Sequence, residues 1–288
     1  MLNPEITKKI ENLVYIKPRS VQEIAQHLDK NWRTADRYID EIEKEFGTIS
    51  TRVFREGTRG ALKIVFWASI EKASSSVFQE ILEQEIMKEK RNENFSAFDI
   101  YQHVSNKEKD VWMQEGESEI ALGKLRGLKD MLLKAKKQIL LFSGNLSVIN
   151  YKNSESDTFK VLEELVKKGV SIKILTRVDL TGKENVEKML SLNHKYGKEL
   201  VEIRHREHPL RVTIVDDQFF NLKEIREPMQ RERELSKRTF LFYTIYDKEW
   251  ISWIKRIFWK MFSLSVDAKK RLEELSKLKK QPVKNNYF

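Results

Sequence analysis

The chain contains no cysteine. That excludes disulfides, thiolate zinc sites and a cysteine nucleophile, and it accords with a reducing cytoplasm. No segment approaches the roughly 20 consecutive apolar residues that a membrane span needs. The richest apolar stretch, WISWIKRIFWKMFSLSV, is interrupted by Lys255, Arg256 and Lys260, which suits an amphipathic helix. The first residues, MLNPEITKKIENLV, lack the charged-then-apolar order of a secretory signal, so a cytoplasmic location is expected. Histidine is scarce, and none of the five falls at H-x-x-x-H or H-E-x-x-H spacing. No metal and no cofactor are therefore expected. LFSGNLS holds a single glycine and makes no phosphate loop.

What is present is positive charge on a core-forming chain. At about 100–200 residues per domain, 288 residues suggest two domains. Hydrophobic residues make up 40%, enough for a buried core. Lys and Arg number 54 against 44 Asp and Glu, a net charge of +10. With a pI near 9.4, a polyanionic partner is favoured, nucleic acid first.

The first 70 residues are built for a compact helical head followed by a hairpin. Ile6, Ile10, Leu13 and Val14 give residues 4–15 one apolar face. Ser20 with Glu23 three residues on is a capping box, opening a helix that turns Val21, Ile24, Ala25 and Leu28 inward. After Asp29-Lys30, Asn31 can cap a further helix with Ala35, Tyr38, Ile39, Ile42 and Phe46 as its inner stripe. Gly47 sits where a C-terminal glycine belongs. Strands follow at 49–55 and 61–67, joined by EGTRG. Beyond them, 79–90 reads as a helix, with a longer stretch from Ser69 as the alternative start. RNENFSAFDIYQHVSNKEKD reads as a polar connector with a helical piece, and 117–137 as helix again.

From residue 138 the pattern alternates. Strands are expected at 138–144, 171–177, 201–206, 211–217, 219–223 and 240–246, and helices at 156–168, 183–196 and 247–263. Residues 224–238 read as a loop, and the chain after Asp267 as a basic, solvated helix with a frayed end. The order implies an α/β sandwich with a largely parallel sheet.

The order SVQEIAQHL–DKN–WRTADRYIDEIE and the basic hairpin after it resemble a winged helix-turn-helix domain of the TrmB-like type, common in archaeal transcription regulators. The resemblance implies that the start of the second helix enters a major groove and that the hairpin lies on flanking phosphates. The implied DNA contacts are Asn31, Trp32, Arg33, Thr34 and Arg37 on the helix and Arg52, Arg55, Arg59 and Lys63 on the hairpin. Arg33 and Arg37, four apart on the exposed face, suit bidentate pairing with guanine O6 and N7. The hairpin residues suit phosphate. Trp32 can pack on a sugar or staple its helix to the core. Asp36 can orient an arginine or solvate its face.

The stretch HPLRVTIVDDQFFNL, after VEIRHRE, resembles the signature strand of the phospholipase D superfamily, H-x-K-x-x-x-x-D. In that family the His attacks phosphorus, the Lys holds phosphate oxygens and the Asp supports the site. Arg211 falls at the Lys position and Asp216 at the Asp position. Pro209, which cannot be a nucleophile, stands at the His position, and His208 is one residue early. On a strand that shift points a side chain to the opposite face. Either a bulge rescues His208 or the nucleophile is missing. A single motif copy is present, and the family's active site needs two.

Together these resemblances imply a multi-domain α/β chain: a winged helix-turn-helix over 1–70, a helical connector over 71–117, a phospholipase D-like domain over 118–266 and a basic tail over 267–288. The implied function is that of a DNA-binding transcription regulator, not an enzyme. Double-stranded DNA would be its partner, with a second copy making a homodimer. The degenerate domain would dimerise or hold a small anionic effector near Arg204, His205, His208, Arg211 and Asp216. The rival readings are a dimeric phosphodiesterase or nuclease and a protein-interaction module.

Overall fold

A computed structural model describes residues 4–55, 61–68, 75–116, 128–152, 157–228 and 237–278. The helical head forms as its capping residues dictate. Helix α1 (Pro4–Ile16) precedes a two-residue strand, β1 (Arg19–Ser20), then α2 (Val21–His27) and α3 (Trp32–Glu45). The Ser20 hydroxyl accepts from the Glu23 N–H at 3.2 Å while the Glu23 carboxylate accepts from the Ser20 N–H at 2.7 Å. The Asn31 side chain accepts from the Thr34 N–H at 2.8 Å and starts α3. Each cap satisfies helix N–H groups that have no intrahelical partner.

Strands β2 (Ile49–Arg55) and β3 (Ala61–Trp67) form the expected antiparallel hairpin, and β1 joins β3 on its other edge. Ile10, Ile24, Ala35, Ile39 and Ile42 are fully buried in the core between helices and sheet. Each such isoleucine contributes roughly 1.5–3 kcal/mol relative to an exposed one. Phe46 was expected on the same stripe but is exposed, because α3 ends at Glu45 and Phe46 is already its C-cap. Gly47 then takes φ +63°, which lets the chain leave the helix toward β2.

Helix α4 (Ser75–Lys88), helix α5 (Ala97–Tyr101) and strand β4 (Lys109–Glu115) follow. The stretch expected to be a polar connector is part of a core: Phe95, Phe98, Ile100 and Tyr101 are buried. Of the helix expected over 117–137, residues 117–127 lie outside the described residues; α6 (Leu128–Leu133) forms, and 134–137 leave the helix as a turn into the next strand.

The remaining elements are β5 (Gln138–Phe142), α7 (Thr158–Lys167), β6 (Ser171–Thr176), α8 (Lys183–Tyr196), β7 (Val201–His205), β8 (Val212–Val215), β9 (Phe219–Arg226), β10 (Thr239–Ile245), α9 (Lys248–Ser263), β11 (Val266–Asp267) and α10 (Ala268–Leu278). Strand β9 runs on to Arg226, so the loop expected from 224 begins later.

The chain divides into two units that are not consecutive in sequence. One comprises Met1–Gln84, Phe95–Leu122 and Lys223–Tyr243, the other Glu85–Asn94, Gly123–Leu222 and Thr244–Phe288. In the first, the Glu224 carboxylate is buried among its partners. It accepts from the Ser96 hydroxyl at 3.1 Å and the Phe98 N–H at 3.3 Å, and Arg226 lies 2.6 Å away. Arg226 also reaches Glu23 at 3.0 Å. Burial works to raise the Glu23 carboxyl, but the Arg226 charge and the Ser20 donors hold it below the usual carboxylate range.

In the second unit the strand order is β11-β7-β6-β5-β8-β9. Strands β5, β6 and β7 are parallel, whereas β5 with β8, β8 with β9 and β11 with β7 are antiparallel. The sheet is therefore mixed, where a largely parallel one was expected. The tight connection between β8 and β9 forces an antiparallel return. Helix α9 buries Trp250, Trp253, Ile257 and Phe258 and leaves Arg256 and Lys260 exposed. Among the described residues no helix is long and apolar enough to cross a membrane. The residues after Asp267 continue as α10, which buries Ala268 and Leu275 in the core of this unit.

Candidate functional sites: a polar helix face and a basic cleft

In the first unit, α3 presents Arg33 and Arg37 to solvent. The Arg33 guanidinium lies 5.7 Å from the Trp32 ring centre, and that of Arg37 5.3 Å from the Tyr38 ring, so both are steered by an aromatic neighbour. Arg37 also lies 3.8 Å from Glu41. Trp32 is half-buried against the head's core, which favours the staple over a sugar contact. Asn31 and Thr34 are joined by the cap itself.

The hairpin residues divide. The Lys63 ammonium donates to Asp36 at 2.8 Å and Asp40 at 2.6 Å, so its charge is met within the protein and Asp36 serves a lysine. Arg52 lies over the Tyr101 ring at 5.3 Å and reaches Asn106 Oδ1 at 3.4 Å. Arg55 is exposed at the end of β2. Arg59 lies outside the described residues.

In the second unit, a cleft of about 230 Å³ is lined by basic residues. Its walls include Arg206, His208 and Arg211 from the segment before β8, Arg177 after β6, and Lys90 and Arg91 after α4. The last pair is held there by Asn92, whose side-chain amide donates to the Pro209 carbonyl at 2.6 Å. Among the described residues, Glu207 is the one acidic residue on the lining.

Of the five residues expected to converge, His208 and Arg211 line this cleft. Strand alternation was expected to separate them, but β8 begins at Val212, so 208–211 are not bound by that rule. His208 is 4% exposed, and its Nε2 donates to the Leu175 carbonyl at 3.1 Å. A carbonyl only accepts, so Nε2 carries the hydrogen. Nδ1 is sealed from solvent with no hydrogen-bond partner among the described residues. Burial, then the Arg211 charge, push the imidazole down to about 3, so it is neutral at ordinary pH.

Arg211 donates to the Leu210 carbonyl at 2.9 Å and lies against Gly144. A Cβ at Gly144 would come within 2.4 Å of its Nη2.

The other three residues are engaged elsewhere. Arg204 pairs with Glu202 at 2.9 Å, donates to the Phe262 carbonyl at 3.0 Å and stacks over the Phe262 ring. His205 Nδ1 accepts from the Val178 N–H at 2.9 Å, and burial lowers its pKa. Asp216, at φ +49°, accepts from the N–H groups of Lys136, Lys137 and Gln138 at 2.8, 3.0 and 2.7 Å. Burial works to raise its carboxyl, but those donors win and hold it below the usual range. It ties β8 to the start of β5.

Lys90, Arg91, Arg177 and Arg206 were not singled out in the sequence. The one local signal is the run KEKR at 88–91.

No family model matches the chain. No curated protein matches it. Among solved structures it is similar to TrmBL2, described as an archaeal chromatin protein with a novel mode of DNA binding. Identity is 18% over 92% of this chain and 94% of that one, with a TM-score of 0.36. It is also similar to Nuc of Salmonella typhimurium, a phospholipase D family member, at 16% identity over 56% of this chain and 98% of that one, with a TM-score of 0.38. NucT from Helicobacter pylori gives 16% identity over 56% and 99% of the two chains and a TM-score of 0.36. At such values any function must be read from the chain's own residues.

Proposed function

We propose that this chain is a cytoplasmic, DNA-binding transcription regulator that acts as a homodimer. Its first 70 residues form a winged helix-turn-helix, and its second unit is a phospholipase D-like fold without a working nucleophile. The observation that carries the reading is the start of α3. An Asn31-capped helix there turns Arg33 and Arg37 to solvent, beside a hairpin that Lys63 fastens to it. Such a helix suits base edges in a major groove, and two copies would double the contacts along a palindrome. The absence of catalysis is supported by His208. One ring nitrogen is committed to a backbone carbonyl, the other is sealed, and Pro209 stands where a nucleophile is needed.

The test is binding of genomic and random duplexes across a salt series, for wild type and for Arg33→Ala/Arg37→Ala. Selective binding with a steep salt dependence is expected, and the double variant should lose about 1–3 kcal/mol per base-reading arginine. Unchanged affinity in that variant would point instead to a protein-binding head.

One observation favours a second reading, a dimeric phosphodiesterase: His208 and Arg211 share a cleft. Hydrolysis of a phosphodiester that His208→Ala abolishes would establish it. Absence of turnover at any protein concentration would sink it.

A further inference from the structure

We propose that the basic cleft of the second unit binds a small phosphate-bearing anion, of the size of phosphate or pyrophosphate, as a regulatory ligand. This rests on the reading of that unit as a non-catalytic effector domain. The cleft is lined by five cationic side chains, Lys90, Arg91, Arg177, Arg206 and Arg211, against one carboxylate, Glu207. Arg177 is already paired with Asp179 at 2.7 Å. Lys90 and Arg91 are exposed and Arg206 is half-buried. His208, neutral and buried, adds no charge to the wall.

Like charges gathered in a concave site repel one another, and an anion that enters relieves that repulsion. Guanidinium groups suit this task because their fork of donors matches phosphate oxygens in pairs. The basic wall is also assembled. Asn92 hydrogen-bonds to the Pro209 carbonyl and so fixes the Lys90–Arg91 segment beside the segment that carries Arg206 and Arg211.

Size decides between ligands. Pockets for drug-sized molecules run from about 300 to 1,000 Å³. A volume of about 230 Å³ falls short of that and holds a phosphate or pyrophosphate group with a few waters, each of about 30 Å³. The same chemistry would also accept a phosphate of a nucleic-acid backbone, and the experiment separates the two sources.

The full chain is titrated calorimetrically with inorganic phosphate and with pyrophosphate, and in parallel with a short duplex. Wild type, Arg91→Ala/Arg206→Ala and Gly144→Ala are compared, with thermal melts confirming that each is folded. The expected result is saturable pyrophosphate binding. It should weaken about tenfold or more in the double variant and measurably in Gly144→Ala, which moves the Arg211 guanidinium without removing its charge. Duplex affinity of the ligand-free variants should stay within about twofold of wild type.

No saturable binding of either anion up to about 10 mM would overturn the proposal. Unchanged pyrophosphate affinity in the double variant would overturn it as well. So would loss of duplex affinity with a shallower salt slope and no free-anion binding, which would assign the cleft to the DNA backbone. Turnover of a phosphodiester would count against the non-catalytic reading alone, since the free-anion titration is read independently of it.

Discussion

The Lys63 ammonium donates to the Asp36 carboxylate at 2.8 Å, and this contact fastens strand β3 to helix α3. Asp40 completes the clamp at 2.6 Å. The pairing competes with the phosphate contact that the sequence invites for Lys63, because the ammonium is already met by two carboxylates. Burial works to lower its pKa, but the two carboxylates win and raise it.

Under the proposed function, Asp36→Asn/Asp40→Asn should therefore release a cation on the face proposed to meet DNA. Duplex affinity at low salt is expected to rise, with a salt slope steeper by up to about one. Stability should fall by less than about 1 kcal/mol, because the clamp is partly exposed. A slope identical to wild type would show that Lys63 cannot reach the duplex.

Asp216 marks a different kind of anchor. Its carboxylate takes three backbone N–H groups at the start of β5. Asp216→Ala leaves those donors without their charged acceptor and should cost about 3 kcal/mol, read as a shift in denaturant midpoint. A loss under about 0.5 kcal/mol would mean that water replaces the carboxylate.

Two histidines shielded from water, His208 buried and His103 half-buried, set a pH dependence. Burial pushes His208 down to about 3 and His103 down to about 4, with Lys109 adding to the latter. The unfolded chain takes up protons below about pH 6.5 that the folded chain refuses. Their contribution to stability is thus complete above that pH. It is lost as pH falls toward 4 and then 3, by about 1.4 kcal/mol per pH unit for each histidine. Denaturant midpoints should decline between about pH 6.5 and about pH 5, and His103→Gln should remove about one proton of that linkage. An unchanged slope in the variant would mean that His103 is protonated in the folded state.

Gly144→Ala is expected to leave the melting temperature within a few degrees of wild type, because the new Cβ meets the far end of a flexible side chain. A large drop would show that Arg211 is wedged, and would make its guanidinium a structural element of the β5 terminus.

Local signals in the sequence located most of the elements. Ser20–Glu23 and Asn31 mark two helix starts because their side chains answer orphan N–H groups, and both caps form. Strand 138–142 reads as an apolar run after Gln138, and strand 171–176 as apolar positions around a single Lys173. Strand β4 escaped because its inward positions begin with a lysine. Lys109 is buried, its ammonium donating to the Tyr101 carbonyl at 2.8 Å, and a charged residue in the inward phase hides the alternation with Met113. The buried stretch around Phe98 escaped for a related reason. Its α5 is only five residues long, too short to show a period, and polar residues flank it.

The candidate sites were legible to unequal degrees. The α3 arginines follow from helical spacing, which is local. Arg52 and Lys63 look like phosphate contacts until Tyr101, Asn106, Asp36 and Asp40 come into place beside them, and those partners lie far along the chain. The basic cleft depends on Asn92 meeting Pro209 across 117 residues, a separation that no motif records.

That last contact gives the cleft a divided ancestry. The sheet strands and the 206–211 segment supply one wall, and a short stretch just after α4 supplies another. A fragment trimmed to begin at residue 128 would keep every strand from β5 onward but leave Lys90 and Arg91 behind. The same separation gives variation two independent handles. Substitutions at 90–92 can retune or erase the positive wall while every buried residue of the sheet stays as it is, so chains sharing this scaffold are free to diverge in the charge of this cleft without relearning how to fold.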